Sequence, residues 1–189
     1  MIIGKREIVK HINYSGGAIG ADTEFENQCK KFNIKTIAFS FKGHDSSSKN
    51  KKILTQSELS EGYEQVKIAN IILKRDITNL GTYIKNLLSR NWFQVKNSDA
   101  IYAIGILKHN NIVDGGTGWA VQMGIDNNKL IYMFDQNRCV WYKYNYDDIT
   151  FDKINYIPPL KEKIAGIGTR NLNEDGKKAI INLFASNLK

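Results

Sequence analysis

The chain has 189 residues, 42% of them hydrophobic, with 27 Lys and Arg against 19 Asp and Glu, a formal net charge of +8. That length and apolar content suffice for one buried core, so a single domain over 1–189 is expected. No apolar run approaches the roughly 20 residues a bilayer-spanning helix needs, and residues 1–10 alternate charged and apolar side chains instead of forming a signal core. A cytoplasmic protein with no membrane partner is expected. Cys29 and Cys139 lack metal-ligand or redox spacing and are expected to be buried or inert. Neither a metal nor a cofactor is expected.

Taken in chain order, residues 11–15 read as a short strand, after which Ala21, Phe25, Cys29 and Phe32 recur at helical spacing. Residues 34–39 form the next strand. The polar stretch from Lys42 to Lys52 reads as a loop, either solvated or a lid over an anionic ligand. Leu59, Tyr63, Val66, Ala69 and Leu73 give one apolar face to a helix over about 57–74. A further helix over 81–97 sets Ile84, Leu87, Leu88, Asn91 and Val95 toward the core and Arg90, Gln94 and Asn97 on a polar stripe. Residues 99–105 are almost continuously apolar, the mark of a strand buried on both faces. A helix to about 127, a strand Lys129 to Phe134 and an aromatic antiparallel edge at Trp141, Tyr142, Tyr144 and Tyr146 follow. Pro158 and Pro159 precede a last strand, Ile164 to Ile167, and a helix over 173–187 capped by Asn171 or Asn173. Alternating strands and helices predict an α/β fold with a mainly parallel sheet.

Three glycine-rich segments interrupt this series: Ser15-Gly16-Gly17-Ala18-Ile19-Gly20-Ala21-Asp22, Asp114-Gly115-Gly116-Thr117-Gly118-Trp119, and Gly166-Ile167-Gly168-Thr169-Arg170. Glycine lets backbone N–H groups crowd around an anion at a helix N-terminus. In parallel sheets ligands gather at the carboxyl ends of the strands, where all three segments emerge. The first lacks the Gly-x-Gly-x-x-Gly spacing of a dinucleotide site, and no Gly-x-x-x-x-Gly-Lys-Ser/Thr loop is present. The basic excess admits nucleic acid or a small polyanion. Lys49, Lys51 and Lys52 carry no interleaved aromatics, so nucleic acid is not the expected partner.

Arg90-Asn91, the strand Asp99-Ala100-Ile101-Tyr102-Ala103-Ile104 and Asp114-Gly115-Gly116-Thr117-Gly118 resemble the Arg-Lys, apolar strand and Pro-Gly-Gly-x-Gly-Thr-x-x-Glu series of the Lonely Guy phosphoribohydrolases. Ser15 to Asp22 is similar to the glycine loop of the wider SLOG superfamily, which includes the DNA-processing protein A group and sensors of ADP-ribose derivatives. The resemblance implies a Rossmann-like three-layer fold. It also implies ligand contacts from Ser15, Gly16, Gly17, Gly20, Asp22, Arg90, Asp114, Gly115, Gly116, Thr117, Gly118, Trp119, Gln122, Gly168, Thr169 and Arg170. Two features depart from it. The strand and Gly-Ser-Arg-like loop that open such domains are matched by Ala165 to Arg170, as in a circular permutation, so the first and third loops are expected to meet on adjacent strands. Trp119 stands where the hydrolases have Thr, and Gln122 where they have the catalytic Glu.

The expected function is therefore non-catalytic binding or sequestration of a phosphorylated nucleotide-type molecule, of the ADP-ribose or cyclic nucleotide signal class, as viral anti-defence proteins sequester signals. Arg170 is the expected phosphate ligand. Asp22 is open to cap or contact, Asp114 to turn or contact, Trp119 to core or base stacking. An N-glycosidase using Asp22, Glu24 or Asp114 is the first alternative and a DNA-binding module the second. A homo-oligomer is compatible with each.

Overall fold

The computed structural model describes residues 11–188; the expectations for residues 1–10 lie outside that range. Eight strands form one sheet in the order β3-β2-β1-β8-β4-β5-β6-β7. They are β1 (Ile12–Ser15), β2 (Lys35–Ser40), β3 (Lys51–Ile53), β4 (Ala100–Gly105), β5 (Leu130–Asp135), β6 (Val140–Asn145), β7 (Thr150–Ile154) and β8 (Lys163–Gly168). The first six in sheet order are parallel, and β6 and β7 add antiparallel at one edge. Helices α1 (Ala21–Lys31) and α5 (Glu174–Asn187) cover one face; α2 (Gln56–Leu73), α3 (Thr82–Asn97) and α4 (Thr117–Asp126) cover the other. The fold is a Rossmann-like three-layer α/β sandwich.

β4 carries the expected signature of a central strand. Ile101 and Ala103 point into the core beneath α2, α3 and α4, while Ala100, Tyr102 and Ile104 point into the one beneath α1 and α5. Tyr102 keeps its hydroxyl satisfied by donating to Pro159 O at 2.6 Å and accepting from Lys161 N–H at 3.0 Å, which ties the incoming segment to the sheet before β8 begins. The long helix α2 starts at a capping box, Thr55 accepting from Glu58 N–H and Glu58 accepting from Thr55 N–H. Asn173, one of the two candidate caps, holds Gly176 N–H at the start of α5.

Two strands depart from the sequence reading. β3 lies inside the stretch read as a loop: Lys51 to Ile53 pair with Ala38 to Ser40 at the sheet edge with all three side chains exposed, so no apolar alternation marks them. β7 covers β6, so the aromatic strand is one place inside the edge. Cys29 is buried, but Cys139 is exposed at a turn with φ 54°.

β8 lies between β1 and β4, bringing the first and third glycine segments onto adjacent strands. Its glycines serve packing. A methyl group at Gly166 would stand 2.5 Å from Phe25 Cδ1, so the bare backbone is what lets α1 close on the sheet. Gly20 enters α1 at φ 99°, where a side chain would be strained and would meet the Arg170 carbonyl at 2.6 Å.

Candidate functional site

A cavity of about 460 Å³ opens at the carboxyl ends of β8 and β4, walled by α3 and by the N-terminal ends of α1 and α4. That size lies in the range of small-molecule sites, at the side of a parallel sheet where ligands collect. Asp22, Arg90, Asp114, Gly115, Gly116, Thr117, Gly168, Thr169 and Arg170 all line it, so the structure brings most of the sequence-derived residues together.

The backbone amides divide the loops. In the first, Gly17 N–H donates to Ser15 Oγ at 2.9 Å and Ala18 N–H to Asp22 at 3.4 Å. Gly16 N–H meets the Gln94 amide oxygen at 2.5 Å when that amide is turned to satisfy its neighbours. In the third, Gly168 N–H donates to Asp22 at 3.2 Å and Thr169 N–H to Ile104 O at 2.9 Å. These donors are engaged inside the protein. The second loop differs: among the described residues no acceptor meets Gly116 or Thr117 N–H, and both residues line the cavity at the start of α4. The second loop thus offers two successive free amides, while the first and third spend most of theirs inside the protein and leave Asp22 and Arg170 N–H without an acceptor among the described residues.

Arg90 supplies the opposite charge. It sits on α3 with 6% of its surface exposed, forms no ion pair among the described residues, and leaves its Nε without a hydrogen-bond partner. Its Nη1 meets the Gln94 amide oxygen at 3.0 Å. Desolvation lowers its pKa, offset by the carboxylate of Asp22 and reinforced by Arg170. Asp22 is buried as well: desolvation pushes its carboxyl up to about 6 against the pull of Arg90 and of the Ala18 and Gly168 amides. It therefore bridges the first and third loops while facing the cavity. The helix cap is Gly20, so Asp22 is not one.

The stripes of α3 follow the sequence expectation at Leu88, Val95 and Asn97 and depart from it elsewhere. Arg90 and Gln94 are buried against the first loop, and Ile84, expected toward the core, is 43% exposed. His44 lies in the stretch read as a loop from Lys42 to Lys52. It stacks on Phe41 at 4.9 Å between centroids, binds Ser40 Oγ at 3.0 Å, and burial together with Arg90, Lys51 and Arg170 lowers its pKa to about 4. Beside it, Ser47 N–H donates to Gly17 O at 3.3 Å, so the serine segment packs on the first glycine loop.

Ser15, Gly16, Gly17, Gly20, Gly118, Trp119 and Gln122 stand outside the cavity lining. Ser15 donates to Glu26 at 2.6 Å. Trp119 is core, 5% exposed, with the Arg75 guanidinium 5.3 Å from its ring centroid. Arg75, which nothing in the sequence marked, also donates to Gly115 O at 2.6 Å and Val113 O at 3.2 Å and so fixes the second loop. Gln122 donates to Asp126 at 2.8 Å; the face of α4 turned to the cavity carries Thr117 and Ala120 instead.

A second cavity of about 570 Å³ adjoins at Ile106, but its cations are engaged, Arg138 with Asp135 and Leu107 O, and Lys108 with Asp114 at 2.7 Å. Among the described residues no group of His, Cys, Asp and Glu is arranged to hold a metal ion, and no helix is long and apolar enough to cross a membrane. Comparison with family models, curated proteins and solved structures gave no match.

Proposed function

We propose that the protein binds a phosphorylated, nucleotide-derived small molecule in this cavity and holds it without cleaving it, as a circularly permuted SLOG-like domain that sequesters its ligand. The observation that carries the reading is Arg90: a buried guanidinium with an unpartnered Nε, lining the same cavity as the unpaired Gly116 and Thr117 amides. A buried charge without an ion pair is costly in a folded protein unless something else meets it. An anion in the cavity would meet the Arg90 guanidinium and the α4 N-terminal amides together. Arg170, exposed at the rim, adds a second cation. The face of α4 turned to the cavity carries Thr117 and Ala120 and no carboxylate, which supports storage over turnover.

One observation favours a second reading. A cavity-lining carboxyl with a pKa of about 6, as at Asp22, is in the range of a general acid or base, which N-glycoside cleavage requires. Incubation with AMP, ADP-ribose, nicotinamide dinucleotide and cyclic ADP-ribose, with ligand recovered after denaturing the protein, separates the two. Stoichiometric recovery of one intact ligand is the expected result. Release of free base over many turnovers, lost in Asp22→Asn, would replace binding by catalysis.

A further inference from the structure

The wall that α3 gives the cavity changes character along the helix. Ile84, Leu87 and Leu88 come first, and Arg90, Asn91 and Gln94 follow, all lining the same space. The helical rise separates Ile84 from Arg90 by about 9 Å along the axis, so the cavity has an apolar end and a cationic end. On a different element, Ile106 lines the cavity directly after β4, its carbonyl accepting from Asp114 N–H at 2.9 Å. Ile84 is 43% exposed and Ile106 38% exposed, two branched apolar side chains left partly in water where the cavity meets solvent. Exposed isoleucines are ordinary one at a time; two on separate elements lining one cavity with a charged far end form an apolar subsite.

We propose that Ile84 and Ile106 hold the base of the bound nucleotide while its phosphate lies at Arg90. The inference rests on the nucleotide reading above and adds what recognises the other end of the ligand. None of the residues lining the cavity is aromatic, so the base is gripped by aliphatic contact and not by ring stacking. Neither isoleucine side chain donates or accepts a hydrogen bond, so this end selects for a flat apolar ring and not for one base over another.

Calorimetric titration of AMP, CMP, ribose 5-phosphate and inorganic phosphate into the wild type, Ile84→Ser, Ile106→Ser and the double variant tests this. Both isoleucines are outside the core, so the variants are expected to melt as the wild type does. AMP should bind the wild type at least about tenfold more tightly than ribose 5-phosphate, and the double variant should remove about tenfold of AMP affinity while ribose 5-phosphate is unchanged. CMP should lie within about tenfold of AMP, the difference following ring area. AMP and ribose 5-phosphate of equal affinity, or an AMP affinity indifferent to both substitutions, would overturn the base subsite while leaving phosphate binding at Arg90 intact. Failure of all four probes to bind the wild type would overturn the anion reading and this inference with it.

Discussion

A guanidinium as buried as that of Arg90, with no ion pair and an idle Nε, works against folding and so exposes its purpose to substitution. Arg90→Met should fold with equal or greater stability, by up to about 2 kcal/mol, while losing at least about 100-fold in affinity for a phosphorylated ligand; thermal melts and titrations on one preparation measure both. Arg170→Ala should weaken that binding less and leave the melt unchanged, because its side chain is exposed. Asp22 and His44 make opposite demands on pH. The Asp22 carboxyl rises from 3.8 to about 6 on folding, so the native state takes up a proton first, and this group's contribution falls as pH climbs from about 4 to 6, by about 3 kcal/mol in all. The His44 imidazole falls from 6.5 to about 4, so its contribution is lost as pH drops through the same window. Urea unfolding at pH 4, 5, 6 and 7 should therefore show Asp22→Asn gaining on the wild type as pH rises, and His44→Gln gaining as pH falls. Gln122→Glu should create no hydrolase, since its side chain lies against Asp126 and away from the cavity. The glycine spacing made the site legible at Gly116, Thr117 and Arg170. Arg75 and the buried contact of Gln94 with Gly16 were invisible because each depends on a partner far away in sequence.

Elements whose periodicity reflects burial were the readable ones. β4 announced itself by six buried residues in a row, and α2 by its regular apolar face. β3 could not, because an edge strand of two lysines and an exposed isoleucine carries no pattern that burial imposes. On α3, Leu88 and Val95 are buried as their spacing implies, but Arg90 and Gln94 are buried too, because polarity implies solvent only where no cavity lies beneath and both line one. Packing of α1 on β8 hinges on absent side chains. Gly166→Ala should destabilise the fold by about 1–3 kcal/mol through the clash with Phe25. Phe25→Leu should recover part of that loss, and a double-mutant cycle by chemical denaturation measures the coupling. Independent, additive effects would refute the contact as the cause.

Among the described residues, β8 joins two sets of strands that have no other pairing: β1, β2 and β3 on one side, β4 through β7 on the other. A chain stopped after Tyr156 lacks this strand and α5 and should fail to fold, giving a collapsed far-ultraviolet signal and no dispersed amide resonances; a native-like spectrum would show that the halves hold together without it. The alternation of strands and helices foretold the sheet, and the glycine segment near Arg170 its unusual centre, but pairing of Asn13 with Ile164 is set by the interplay of both ends and no local pattern records it. The order of synthesis gives this arrangement a further meaning. Among the described strands β8 is made after the other seven, so the facing edges of β1 and β4 stay open and the cavity incomplete until it emerges. A chain stopped upstream of β8 is expected to leave those two strand edges exposed for chaperones and proteases to recognise.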